Sequence, residues 1–327
     1  MNRRQTLIGA AALAACAPAA SRAPAPFPMR RGVNLGNALE APNEGDWGYR
    51  IEPAHVIAIR DAGFDGIRVP VRWSAHADRS GVVRPDFLVR VAAIVDQALA
   101  LGLSVQLDCH HYDDLIANPQ AERTRFLNIW RAIAEDLQDA PPQLMFEPLN
   151  EPHGPRWSAS SLRDLQREVL GVIRDSNPRR PVVFGPGNWQ NIDALDSWRP
   201  PEGENIAVSV HYYEPHAFTH QGAEWLGAEA PRFGRDWGTA ADRRAVETHI
   251  ARAADWGAAR GYAMQLGEFG VNRAVPLAQR AAWTRAVREA CEARGMGWCV
   301  WDFAGAFPVW DRARGTFMPE TLAALFD

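Results

Sequence analysis

The chain has 327 residues, 47% of them hydrophobic and 23% charged, with a formal net charge of −4. That length accommodates one large domain or two ordinary ones, and the weakly acidic balance excludes the basic surface that a nucleic-acid partner demands. All 35 basic residues are Arg, which points to nucleotide composition before function.

The N-terminus reads as a targeting segment. Arg3-Arg4 precede an Ala-rich apolar stretch from Leu7 to Ala15, too short to span a bilayer as a helix. The twin arginines resemble a Tat export signal. Leu13-Ala14-Ala15-Cys16 resembles a bacterial lipobox, in which Cys16 is lipidated and becomes the new N-terminus; plain cleavage near Ala20 is the alternative. The Ala/Pro-rich run from Ala17 to Pro28 is then a tether, too poor in apolar bulk to pack. Residues 1–28 are therefore set apart from a single domain over residues 29–327. The mature protein is expected to be exported, either to the periplasm or outer membrane as a lipoprotein, or secreted. Such a lipid anchor is its sole expected membrane contact.

From Gly32 onward, strand-length apolar runs alternate with helical patterns. The strands are expected at Gly32–Leu35, Gly66–Val69, Ser104–Leu107, Gln143–Leu149, Pro181–Phe184, Ile206–Tyr212, Ala263–Gly267 and Gly297–Trp301. Between them lie amphipathic stretches such as Phe87–Leu101, Ala121–Leu137, Ser160–Arg174, Ala241–Arg260 and Leu277–Ala293, whose apolar residues recur every three or four positions. Eight alternations predict an α/β fold, a closed (β/α)8 TIM barrel forming a single domain. A doubly wound open sheet is the alternative, but no Gly-rich phosphate loop opens any helix. Three cysteines lie beyond the signal, Cys109, Cys291 and Cys299. Their odd number rules out a complete disulfide framework and their spacing fits no zinc site, so buried thiols are expected.

Polar and aromatic residues crowd the C-terminal ends of the expected strands: Asn34, Arg68, His110-His111-Tyr112, Asn150-Glu151, His211-Tyr212-Tyr213, Glu268 and Trp301-Asp302. In a barrel these ends form the active-site face. Glu151 and Glu268 each end an apolar run, and two facing carboxylates are what cleavage of a glycosidic bond requires. Glu151 is the candidate acid/base, its pKa raised by desolvation and by the charge of Glu268. Glu268 is the candidate nucleophile, with Arg68 and Tyr213 as partners to keep its pKa low. Asn150 can hold a sugar 2-hydroxyl. His110, His111 and His211 are expected to hydrogen-bond the first bound sugar above a Trp301 platform. The 13 Trp residues include several at expected loop or strand ends (Trp47, Trp73, Trp189, Trp225, Trp301, Trp310); singly they read as packing, together they suit stacking on sugar rings. Adjacent histidines on a strand face opposite ways and no HExxH occurs, so neither a metal nor an organic cofactor is expected.

These residues resemble glycoside hydrolase family 5, the retaining (β/α)8 endoglucanases, over almost the whole mature chain. The resemblance rests on Arg31-Gly32-Val33-Asn34-Leu35-Gly36-Asn37-Ala38-Leu39-Glu40, Ile67-Arg68-Val69-Pro70, His110-His111-Tyr112, Asn150-Glu151-Pro152-His153, His211-Tyr212-Tyr213, Thr219 to Trp225, Gly267-Glu268-Phe269-Gly270 and Trp301. It is strongest for a bacterial branch that cuts β-1,4-glucans and sometimes mannans. The resemblance implies that Arg68, His110, Asn150, His211, Tyr213 and Trp301 surround the two glutamates, and that Asn37, Glu40, His111, His220 and Trp225 contact sugar hydroxyls and rings. Two positions depart from the pattern: Pro148 interrupts the strand before Asn150, costing a backbone hydrogen bond, and Asp302 follows Trp301 where Glu is more familiar, which predicts an altered rim. The expected activity is endo-β-1,4-glucan hydrolysis by a monomer, on a β-glucan or mannan polysaccharide or oligosaccharide. A β-mannanase, an exo-β-glucosidase, a metal hydrolase and a non-catalytic glycan-binding lipoprotein are the alternatives.

Overall fold

The computed structural model describes residues 27–327. The export signal, Cys16 and most of the expected tether lie outside the described residues. Eight parallel strands close a barrel in sequence order: β1 Arg31–Asn34, β2 Gly66–Val71, β3 Ser104–Cys109, β4 Leu144–Glu147, β5 Val182–Phe184, β6 Ile206–His211, β7 Ala263–Glu268 and β8 Gly297–Val300. β8 pairs back onto β1 through Gly32 and Cys299. The expected barrel is present, with its eight strands where the apolar runs place them. β2 and β3 are buried along their whole length, as strands covered by helices on one side and barrel interior on the other must be.

The covering helices bury their apolar stripes. Ala159–Ser176 turns Leu162, Leu165, Val169, Leu170 and Ile173 inward, and Leu277–Ala293 coincides with its expected bounds. Starts are set by local chemistry. Pro stands in the first turn of Pro53–Asp61, Pro85–Ala100, Pro119–Asp136 and Pro319–Phe326, where its missing N–H costs nothing. Ser158 and Thr239 close capping boxes on Ala159–Ser176 and Ala240–Ala258. The short helix Pro53–Asp61 escaped the sequence reading because it buries just Val56 and Ile59, too few for a visible period. The β5–β6 connection holds no long helix, only the turn Gly187–Gln190 and a 3-10 segment, Ile192–Asp196.

Three expectations change. β4 ends at Glu147, so Pro148 lies past the strand and no ladder bond is lost; its carbonyl accepts from Trp130 Nε1 at 2.9 Å. His110 and His111 lie beyond β3 rather than on it, and His111 turns left-handed at φ 49. The argument from opposite strand faces therefore does not apply to them, and their rings meet edge to face at 4.6 Å. Finally, Phe27, assigned to the tether, is buried with Met29, Met145, Val183, Ala207 and Cys299 as a plug in the N-terminal end of the barrel. Gly66 leaves room for that plug, since a Cβ there would come within 2.5 Å of Met29 Sδ. Cys109, Cys291 and Cys299 are buried free thiols, and no described helix is long and apolar enough to cross a membrane.

The plug identifies Phe27 as part of the fold. Phe27→Ala is expected to lower the unfolding free energy by about 3 kcal/mol, read from the urea midpoint; an unchanged midpoint would return Phe27 to the tether.

Candidate active site

Arg68, in the middle of β2, is fully buried and organises the barrel mouth. Its Nε donates to Glu147 Oε2 at 2.6 Å, Nη1 to Asn34 Oδ1 at 2.9 Å and to Glu268 Oε1 at 2.8 Å, and Nη2 to Asn150 Oδ1 at 2.7 Å. Nη2 also lies 2.7 Å from Asp108 Oδ2. One guanidinium thus faces three carboxylates: Asp108 on β3, Glu147 on β4 and Glu268 at the end of β7. Sequence reading missed Asp108 and Glu147. The available signal was a polar side chain at an inward position of a strand buried on both faces.

Glu268 and His211 are register partners across β6 and β7, where a bulge follows Val210. His211 Nδ1 lies 2.7 Å from Glu151 Oε1 and 3.6 Å from Glu268 Oε2. One ligand atom from each of these three residues falls within 4.8 Å of the others, so the two glutamates face each other across a single histidine. Tyr213 donates its hydroxyl to Glu268 Oε2 at 2.9 Å. His110 is buried with Nδ1 3.2 Å from Asp108 and Nε2 3.3 Å from Asn150 Nδ2. The amide must donate there, so the neutral tautomer carrying its proton on Nδ1 satisfies both contacts. His110 and His211 were expected around the sugar; both ring nitrogens of His110 are engaged by Asp108 and Asn150, whereas His211 bonds Glu151 through Nδ1 and keeps Nε2 without a protein partner.

Trp301 stacks on His110, with centroids 5.4 Å apart and planes 7° apart. His111 is exposed beside Trp47. His220 packs edge-on to Tyr213 and Trp225. Thr219 Oγ1 donates to the Tyr213 carbonyl at 2.6 Å, so the 2.9 Å contact with His220 Nδ1 must be a bond from the ring to the hydroxyl. His220 Nε2 is left as an acceptor. Trp47, Trp189 and Trp225 are about half exposed on the surrounding loops, whereas Trp73 is core.

Two expected residues do not fit their sequence roles. Glu40 is fully buried, its carboxylate taken by the Asn37 and Ala38 amides, so it has no surface to offer a sugar. It braces the β1 loop, including Asn37 at φ 64. Asp302 is not on the rim either: it is buried, accepting from Asn37 Nδ2 and from Phe307 N.

Burial dominates the proton affinities. It pushes Glu151 and Glu268 each up to about 7, offset for Glu151 by Arg68 and for Glu268 by His211 and Arg68. Glu268 is therefore not held low, as its partners had suggested; desolvation outweighs them. Burial also lifts Glu40 and Asp108 to about 8 and Asp302 to about 7. It would lift Glu147 too, but the charge and hydrogen bond of Arg68 hold that group below its usual value. Of the facing pair, Glu268 has two direct donors, Arg68 and Tyr213. A single shared proton is therefore better placed on Glu151.

Known proteins resemble this chain over most of its length. A model of the cellulases, glycosyl hydrolase family 5, matches residues 31–306. Endoglucanase H of Acetivibrio thermocellus is 32% identical over 92% of this chain, which spans 34% of that protein's length. Structures of Thermotoga maritima Cel5A in complex with cellobiose and with mannotriose superpose with a TM-score of 0.88 at 37% identity, covering 91% of this chain and 97% of theirs. The cellulose synthase subunit Z of Clostridioides difficile superposes equally well, at 34% identity over 91% of this chain and all of its own.

The raised carboxyls bind protons in the folded protein at pH values where the unfolded chain has lost them. Stability is therefore expected to fall between pH 6.5 and 8, by about 1.4 kcal/mol per pH unit for each proton retained. Below pH 6.5 the opposite linkage of His110, His211 and His220, whose pKa values burial lowers, offsets the trend. Urea unfolding across this range checks the slope, and Glu40→Gln is expected to make it shallower.

Proposed function

Since the chain belongs to glycosyl hydrolase family 5, the cellulases, we propose that it is a retaining endo-β-1,4-glucanase. The observation that carries this reading is the close pair Glu151 and Glu268, with one oxygen of each and a His211 nitrogen inside 4.8 Å. Retaining enzymes hold their carboxyls roughly 5–5.5 Å apart, inverting ones ~6.5–9.5 Å to admit a water. Glu268, ionised and oriented by Arg68 and Tyr213, attacks the anomeric carbon. Glu151 gives its proton to the departing glycosidic oxygen as that bond breaks. Formation of the ester removes the charge of Glu268, and Glu151, now ionised, takes a proton from the water that hydrolyses the glycosyl-enzyme. The free N–H of Asn150 Nδ2 is available to the 2-hydroxyl, and the Trp301 face to the ring.

A glucan substrate is supported by relatives named endoglucanases. Mannan or glucomannan is a second reading, favoured by the Thermotoga maritima structure with mannotriose. The half-exposed Trp47, Trp189 and Trp225 spread around the mouth, which suits a polymer better than a single terminal sugar. We further propose that the protein acts after export, as a monomer, with Cys16 as a lipid attachment site.

Viscosity loss and sugar release from carboxymethyl-cellulose, mixed-linkage β-glucan, glucomannan and mannan test the substrate. Glu268→Ala is expected to abolish all activity. Glu151→Ala is expected to slow it about 10²–10⁴-fold; on 2,4-dinitrophenyl β-cellobioside, whose leaving group needs no acid, azide is expected to restore turnover and yield a β-configured glycosyl azide. An α-configured azide would mean direct displacement by azide and would overturn the acid/base role of Glu151, and full activity in Glu268→Ala would remove the nucleophile assignment. Silence of the wild type on all four polymers would favour a glycan-binding role.

A further inference from the structure

Glu151 occupies the left-handed region at φ 45, and its backbone is held on both sides. Its N–H donates to Gln190 Oε1 at 2.8 Å, and its carbonyl lies 2.6 Å from His153 Nδ1, which donates to it. Gln190 is fully buried. Its Nε2 donates to Glu147 Oε1 at 3.2 Å, and Glu147 is the carboxylate that Arg68 grips through Nε. A single side-chain amide thus joins the Glu151 loop to the buried ion-pair network. Only an amide suits both ends: a carboxylate would repel Glu147, and a hydrocarbon would leave the Glu151 N–H without that acceptor.

The segment that delivers Gln190 is itself unusual. Asn188, Trp189 and Gln190 have φ values of 54, 58 and 54, three successive left-handed residues, none of them glycine. Such backbone persists where its surroundings over-determine it, and it concentrates at functional sites. Here Gly185 clears the space, since a Cβ would come within 2.3 Å of Gln190 Cγ. The Trp189 ring stacks on His153, with centroids 4.5 Å and planes 13° apart, and Trp189 N donates to the Pro152 carbonyl at 3.4 Å. The strained turn is fastened to residues 151–153 at several points.

We infer that Gln190 is a positioning residue for Glu151: it holds the Glu151 backbone, and through it the carboxyl, in the orientation for proton donation. The inference rests on Glu151 being the acid. Gln190 is buried away from the cleft and touches neither substrate nor reacting atoms.

The test compares kcat/KM on two aryl β-cellobiosides. Phenoxide leaves readily only when protonated, whereas 2,4-dinitrophenolate needs no acid. Gln190→Met keeps length and volume but removes the hydrogen bonds to Glu151 and Glu147, together with a longer one, 3.5 Å, to the Ser209 carbonyl. It is expected to lower kcat/KM about 10- to 100-fold on the phenyl substrate and less than about threefold on the dinitrophenyl one. Equal losses on both, or no loss on the phenyl substrate, overturn the inference. Should that variant fail to fold, Gln190→Asn, one methylene too short to reach both partners, is read in the same way. Glu151→Gln is measured alongside. If it discriminates between the substrates and the Gln190 variants do not, the positioning role fails alone. If Glu151→Gln itself does not discriminate, the acid assignment fails and the inference falls with it.

Discussion

A guanidinium buried without water must find acceptors for all its donors and a counter-charge for itself. Arg68 meets that demand by drawing together strands that are distant in sequence: Asn34 from β1, Asp108 from β3, Glu147 from β4, Asn150 just beyond it and Glu268 from β7. The barrel mouth is built around this one side chain. The requirement runs in reverse as well. Three carboxylates face one cation in a buried site, and they cannot all ionise cheaply. Glu147 takes the charge, while Asp108 and Glu268 hold protons to higher pH. The network that positions Glu268 therefore also sets when it becomes anionic.

Strain gathers at the same end of the barrel. Of the seven non-glycine residues with positive φ among the described residues, six lie in the loops after β1, β3, β4 and β5: Asn37, His111, Glu151, Asn188, Trp189 and Gln190. Each places a polar or aromatic side chain at or beneath the mouth. A regular strand end would point these groups along the pleat, alternately inward and outward. Left-handed residues break that alternation and let successive side chains converge. The cost is met by side-chain partners: Glu40 and Asp302 around Asn37, and Gln190 and His153 around Glu151.

Much of this was legible in the chain. Eight apolar runs alternating with helical periods specified the barrel, because burial on two faces leaves a strand no other composition. Polar groups at the ends of those runs marked the functional face, and Glu151 and Glu268 stood out as a pair. The failures have a common cause. Glu40 and His110 were read as sugar contacts because polar side chains near a mouth look alike in sequence, whether they face the cleft or brace it. Gln190 left no signal, since a glutamine beside Asn and Trp carries no pattern.

The sequence by itself determined the topology, the functional face and the two facing carboxylates. Those follow from local periodicity and from residue chemistry at strand ends. Only the tertiary structure decided which polar groups are open to a ligand and which are spent on one another. It also decided that desolvation outweighs Arg68 and Tyr213 in lifting Glu268. Both depend on contacts between distant segments, Arg68 with Glu268 across 200 residues and Asn37 with Asp302 across 265, and burial is a property of the assembled barrel that no single segment carries.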